Sequence, residues 1–415
     1  CYWGGEVLAC RIERNVTTNG AGGGVNCWYG GTVRSSQIIN NRAHASSGGG
    51  MYCYRGGAVM TSLVSNNVAA TAGGGIWIYE TGVVDRCTVA CNIALTKSGG
   101  GVVAHYGGVV MNSIIHGNTA VTPDQYTGGG GASIGWGGII SNCVLYGNRC
   151  TSVGGGLRVL YDGSYALNCA IYGNEAGMRG GGADVAEAWL INCSVFNNRA
   201  GNSAGGVYFS NTSLAGNSII YHNRAPYFDN AEFINTTYEP PTNVNCCIYP
   251  PPPSYAVTLN LVTNDPLLLG ISNPHIATNS PCVNAGSNAL AFGVDIDDEP
   301  RIVDGTVDIG CDEVVPAGLT GALAAAIYAP YPVAVVNAAV PFYADVRGKA
   351  ALLEWAIATN GGMRVINNAG AVQQAWAAPG VFPVILRAWN NDGMAAATVM
   401  VQVVSAVTNY AAHGG

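Results

Sequence analysis

The chain has 415 residues with 59 glycines, 10% charged residues and a net charge of −7, and its only lysines are Lys97 and Lys349. That composition excludes a nucleic-acid-binding surface, which needs clustered cations. With about half the residues apolar it also excludes a disordered chain, while the glycine content leaves long amphipathic helices poorly supported.

From the first residue the chain repeats itself about every 26 positions. Each repeat carries a glycine cluster, from Gly22-Gly23-Gly24 through Gly180-Gly181-Gly182 to Gly205-Gly206. Each also carries an asparagine: Asn15, Asn41, Asn67, Asn92, Asn118, Asn148, Asn174, Asn198 and Asn223. A fixed period of this size means one supersecondary unit stacked on itself. After each glycine turn, apolar residues alternate as in a half-buried strand, for example Met51/Cys53, Ile76/Ile78 and Leu157/Val159. A second short strand pairs a small residue with an aliphatic one, as in Ser62/Val64 and Cys169/Ile171. Short strands, tight turns and no helix-length segment predict a parallel β-helix of about nine regular rungs, with an irregular C-terminal cap from about residue 226. Stacking places the asparagines in one column, where side-chain amides hydrogen-bond one another and the turn backbone.

Fourteen cysteines are spaced unlike metal ligands, since no CxxC pair occurs. Most fall in the inward columns as thiol ladders: Cys1, Cys27 and Cys53 in one, Cys143, Cys169 and Cys193 in the other. Cys282 and Cys311 are the expected disulfide. Cys1 aligns with Cys27, which makes it a core cysteine rather than a lipidated one. No uninterrupted apolar run approaches membrane-spanning length.

The column after the inward pair is aromatic. Trp3, Trp28, Tyr29, Tyr54, Tyr79, Tyr106, Trp136 and Tyr161 fall on successive rungs and predict a stripe along one face. Three readings are weighed: a self-stacking ladder, a protein contact surface, or a platform for sugar rings. Catalytic groups are sparse. The best constellation is Asp162 with Asp184 or Glu187, near Arg158 and Arg179, and it is a weak candidate for polysaccharide cleavage. His105 and His116 are expected at the solvated surface.

Beyond Asn223 the runs NVNCCIYPPPPS, NDPLLLG, NSPCVNAG and DIDDEPRIVDGTVDIGCDE follow. This segment resembles the terminal part of bacterial right-handed parallel β-helix repeat proteins, akin to polymorphic outer-membrane proteins. The resemblance covers residues 1–315 and implies a right-handed coil, export and attachment at the cell surface. Asp295, Asp297 and Asp298 belong to the densest acidic cluster. They are read as turn caps near Arg301, with calcium as the alternative. No other cofactor is expected.

Residues 317–415 form a different unit. Strand-like runs separated by Asn360-Gly361-Gly362, Ala378-Pro379-Gly380 and Asn390-Asn391-Asp392-Gly393 predict a small β-sandwich. The run APGVFPVILRAWNNDGMAAATVMVQV resembles the closing hairpin of PKD-type immunoglobulin-like domains, with Trp355 as the core tryptophan. The expectation for the whole is a non-enzymatic extracellular structural protein. It would self-associate into a surface fibre or layer through the β-helix ends and the sandwich. The alternative is a monomeric adhesin or a polysaccharide-binding or polysaccharide-cleaving protein.

Overall fold

A computed structural model describes residues 3–234 and 239–405. Within them the chain is all-β apart from two three-residue 3-10 turns. It divides into two compact units, Cys1–Pro266 with Pro281–Glu313, and Leu267–Ser280 with Val314–Gly415.

The first unit is a parallel β-helix built from four parallel sheets of 11, 10, 9 and 8 strands. The sheet after the glycine turns contains Val25–Trp28, Met51–Tyr54, Ile76–Tyr79, Val102–His105, Ala132–Gly135, Leu157–Leu160, Ala183–Ala186, Val207–Ser210 and Ala231–Ile234. It carries the aromatic column and is called the aromatic sheet below. Each rung is in register with the next, so Ile76 pairs with Met51 and Val102, and Ile78 with Cys53 and Ala104. Identical positions therefore stack, and the interior is a set of columns of Val, Ile, Leu, Ala and Cys with no solvent exposure.

The glycine cluster has two physical reasons. Gly48 has φ +69°, which a side chain rarely adopts. Gly49 has ordinary φ, but a Cβ there would lie 2.3 Å from the Gly74 carbonyl oxygen of the next rung. The first glycine serves the turn, and the second serves close packing between rungs.

The asparagine ladder is present from Asn15 to Asn223. Asn92 shows the pattern: its backbone N–H and its Nδ2 both donate to Asn118 Oδ1, at 2.9 and 3.0 Å, and Nδ2 also donates to the Val64 carbonyl. Asn223 hands the ladder to Asn230, only seven residues on, through its N–H and Nδ2. Asn41 to Asn223 are all buried.

The coil runs past the expected decay at residue 226. Ala231–Ile234, Thr242–Val244, Cys247–Ile248 and Val257–Leu259 extend three of the sheets. The chain of this unit then turns back along the outside of its own coil. Asn245, Asn217, Asn192, Asn168 and Asn142 donate in that order from Nδ2 to the carbonyls of Ala285, Ser287, Leu290, Phe292 and Asp295. All five sit at positive φ, between 45° and 51°, where asparagine is one of the few residues that fits. This second asparagine column straps the return segment to a corner of the coil.

All described cysteines are free thiols. Cys27 stacks on Cys53 in register, as expected; Cys1 lies outside the described residues. The expected Cys282–Cys311 pair is not formed. Cys282 faces Cys247 on the last rung, and the Cys311 N–H donates to Ser194 Oγ instead. Burial pushes the Cys87 thiol up to about 11 and the Cys246 thiol up to about 12.

The second unit packs a three-stranded antiparallel sheet (Ala324–Tyr328, Val340–Arg347, Ala371–Gln374) with a five-stranded one. The latter contains Val333–Val335, Leu352–Thr359, Gly362–Asn367, Gly380–Asn390 and Gly393–Val404. Trp355 is fully buried between them, and its indole N–H donates to the Ala369 carbonyl. Trp376 is buried likewise and donates to Ala358. The sandwich also recruits a segment placed by sequence in the β-helix. Leu269 and Ala277 join its core, and Asn273 Nδ2 donates to the Val346 carbonyl.

Candidate functional sites

Along the aromatic sheet, the outward residues and the following corner form a band of rings. Trp3 stacks on Tyr29 at 4.5 Å, Tyr54 on Tyr79 at 5.8 Å, Tyr106 on Trp136 at 5.0 Å and Trp136 on Tyr161 at 4.4 Å. Trp28 meets Tyr54 at 4.7 Å and Tyr79 meets Tyr106 at 4.8 Å, both tilted. The eight expected residues thus lie in one continuous band. Tyr52 and Trp77 belong to it as well, 5.3 Å apart and edge to face, one column earlier on the strand. A stripe defined only by the end of each strand omits them.

Part of this band is folded into a groove. The rung that ends at Asn148 is 30 residues long, against 26 for its predecessor. The extra residues lie over residues 121–128. The segment is anchored from below: Arg158 donates to the carbonyls of Tyr126 and Gln125, and Arg179 donates to Gln125 Oε1 at 3.2 Å. Both arginines are held by Asp184, at 3.4 Å from Arg158 and 3.2 Å from Arg179. Arg179 also lies 4.0 Å over the Tyr208 ring. The resulting groove has a volume of about 420 Å³, and its walls include Trp77, His105, Ser133, Trp136, Tyr161 and Tyr126.

The weak catalytic constellation is not assembled. Asp184 is 2% exposed and both its oxygens face arginines. Glu187 sits at a corner and accepts from Asn211 Nδ2 at 2.9 Å, and Asp162 points to solvent on an earlier corner. The cluster anchors the segment over the groove. His105 departs from its expected solvated place. It lies 4.7 Å edge to face with Trp136, its Nε2 is 3.4 Å from Ser133 Oγ, and burial beside the Arg158 charge pushes its pKa down to about 4. His116 is also no free surface group: it stacks on Tyr146 at 4.8 Å and 2°.

In the return segment, Asp295 is buried. Its Oδ1 accepts the amides of Asp297 and Glu299, and its Oδ2 accepts that of Glu313. Asp295 is therefore a turn cap, and of the three acids considered for calcium, Asp298 is the exposed one. Arg301 donates to the carbonyls of Asp308 and Gly310. Glu313 accepts the amides of Val303 and Asp308, and burial raises its carboxyl to about 7.

The sandwich carries a surface that sequence inspection passed over. Strand pairing aligns Val333 with Gln402, Pro383 with Met400, Trp389 with Met394 and Ala356 with Val365 on the outer face of the five-stranded sheet. On that face Val333, Val335, Met363, Val365, Val381, Met394 and Met400 are each 42–62% exposed. Its charged pair, Glu354 and Arg387, is internally matched.

Residues 324–403 match the PKD domain family, which is typical of extracellular proteins. No curated protein matches the chain. Among the described residues no helix is long and apolar enough to cross a membrane. The chain is thus a parallel β-helix repeat protein carrying a C-terminal PKD domain, an architecture of the extracellular, adhesion-type or surface class.

Proposed function

We propose that this chain is a non-enzymatic structural protein of an extracellular surface layer or fibre, self-associating through the outer face of its PKD sheet. The observation that carries this reading is the cluster of seven large apolar side chains on that face, each 42–62% exposed. Soluble monomers rarely expose contiguous apolar patches of this kind. The occupant that fits is a second copy of the same face. Five strands at roughly 4.8 Å spacing, the longest near 35 Å at about 3.4 Å per residue, offer up to about 800 Å², which is what one partner of a standard interface buries. The face is also self-complementary in charge, because a two-fold axis sets Arg387 of one copy over Glu354 of the other. The β-helix then serves as the rigid element displayed by the contact, and its aromatic band as a further surface.

Electron microscopy of the native full chain tests the reading. Paired particles are expected if the sheet face is the sole contact, and regular filaments if the coil supplies another. Dispersed single particles at micromolar concentration would overturn it.

A further inference from the structure

We propose that the groove beneath residues 121–128 is a binding site for a neutral oligosaccharide, laid along the coil axis across the aromatic sheet. This goes beyond self-association and does not depend on it, because the groove lies in the other unit.

The first argument is shape. The groove reaches across four neighbouring strands of the aromatic sheet, from Trp77 through His105 and Ser133 to Tyr161. At roughly 4.8 Å per strand this is about 14 Å, longer than a single small ring requires and suited to a short chain of rings. Its volume of about 420 Å³ lies in the range of specific ligand sites.

The second argument is chemistry. Flat aromatic faces pack against the apolar C–H faces of sugar rings, and hydroxyls need donors and acceptors set between those faces. Trp136 and Tyr161 supply such faces at the corner, 38% and 40% exposed, and Tyr126 on the overlying segment is 77% exposed. Between them stand the Ser133 hydroxyl and the His105 ring. The Trp77 indole N–H is buried in the wall with no acceptor. A buried donor without a partner costs about 1–3 kcal/mol, which an acceptor on a ligand offsets.

The third argument is charge. The charged groups nearest the floor are engaged with one another: Asp184 holds Arg158 and Arg179, and both arginines hold the overlying segment. Lys97 is the one cation in the lining, and no carboxylate belongs to it. An acidic polysaccharide finds no cationic row here, and a cation finds no ligand set. A neutral chain of hydroxylated rings matches both the aromatic walls and this balance.

The test is a titration of the full chain with cellohexaose, xylohexaose, mannohexaose and chitohexaose, followed by tryptophan fluorescence and calorimetry. At least one is expected to bind with micromolar to millimolar affinity. Trp77→Ala is expected to weaken that binding about tenfold or more, the equivalent of about 1.4 kcal/mol. Trp77→Phe keeps a ring but removes the N–H and is expected to weaken it less. Both variants are checked for an unchanged melting temperature, and Ser133→Ala gives a second reading should Trp77→Ala fold poorly. Met400→Glu on the PKD face is expected to leave binding unchanged, which separates this site from the self-association contact. Absence of binding for all four sugars at millimolar concentration overturns the proposal. So does binding that survives both Trp77→Ala and Ser133→Ala.

Discussion

The ladder asparagines and the aromatic band run along the same coil with the same period, yet one column is closed and the other open. In the ladder, each oxygen accepts from the rung before and each Nδ2 donates onward, so the interactions are complete within the chain. In the band, rings contact rings but leave faces toward solvent and an indole donor without an acceptor. A repeat therefore stiffens a protein where its stacked groups satisfy one another, and presents a surface where they do not.

The largest effect should come from opening the closed column. Asn118→Ala removes the acceptor of two Asn92 donors, at 2.9 and 3.0 Å, and two donations of its own. The expected cost is about 4 kcal/mol, measured by urea unfolding of the full chain. A cost below about 1 kcal/mol would show that the ladder does not hold the rungs.

Asp184→Ala should cost somewhat less, about 3 kcal/mol, because it leaves the buried Arg158 without its carboxylate. Its diagnostic consequence is local: faster hydrogen exchange and proteolysis over residues 121–128, with the ladder unaffected. If that segment stays protected, the arginine anchor is not what forms the groove wall.

Acid sharpens the same contrast. His105 is neutral in the folded chain with a pKa of about 4, against 6.5 when exposed, and it faces Ser133, Trp136 and the Arg158 charge. The unfolded chain therefore binds the extra proton between these values. The stability held above pH 6.5 is lost as pH falls through 6.5 toward 4, by up to about 3 kcal/mol. Glu313 has the opposite sign: its carboxyl is raised from 4.5 to about 7, so its contribution is full below 4.5 and lost as pH rises toward 7. Subtracting the pH profile of His105→Gln from that of the wild type isolates the histidine, and a flat difference between pH 4 and 6.5 would contradict its burial.

The smallest effect belongs to the open column outside the groove. Tyr54→Ala should cost at most about 1 kcal/mol in thermal unfolding, since its ring contacts are exposed. A cost comparable to that of Asn118→Ala would make the band a structural ladder after all.

The sequence carried the coil plainly wherever a strand was long enough to alternate. Ile76/Ile78 and Ser62/Val64 show their period, whereas two-residue strands such as Val68–Ala69 have none, so one of the four sheets was invisible. Asn142, Asn168, Asn192, Asn217 and Asn245 each precede a Cys or Ser at the coil period, and that signal was available. Their meaning was not, because it depends on carbonyls 40 to 153 residues away. Cys282 was matched to the wrong thiol for the same reason: the return path decides its neighbour. The band was legible as Trp3 to Tyr161, but the groove was not, since it requires the 121–128 segment to fold over Arg158 and Arg179. On the sandwich, Trp355 was legible as core. The apolar outer face was missed because Val381, Met394 and Met400 alternate with buried residues just as ordinary strand residues do.

The central claim is self-association through that outer face, and sedimentation equilibrium of the full chain over a hundredfold concentration range tests it most directly. The account predicts a concentration-dependent rise in mass above the monomer. In the double variant Val381→Glu/Met400→Glu the rise is abolished with the melting temperature retained. A wild-type chain that remains monomeric throughout, or a variant that associates as the wild type does, would contradict it.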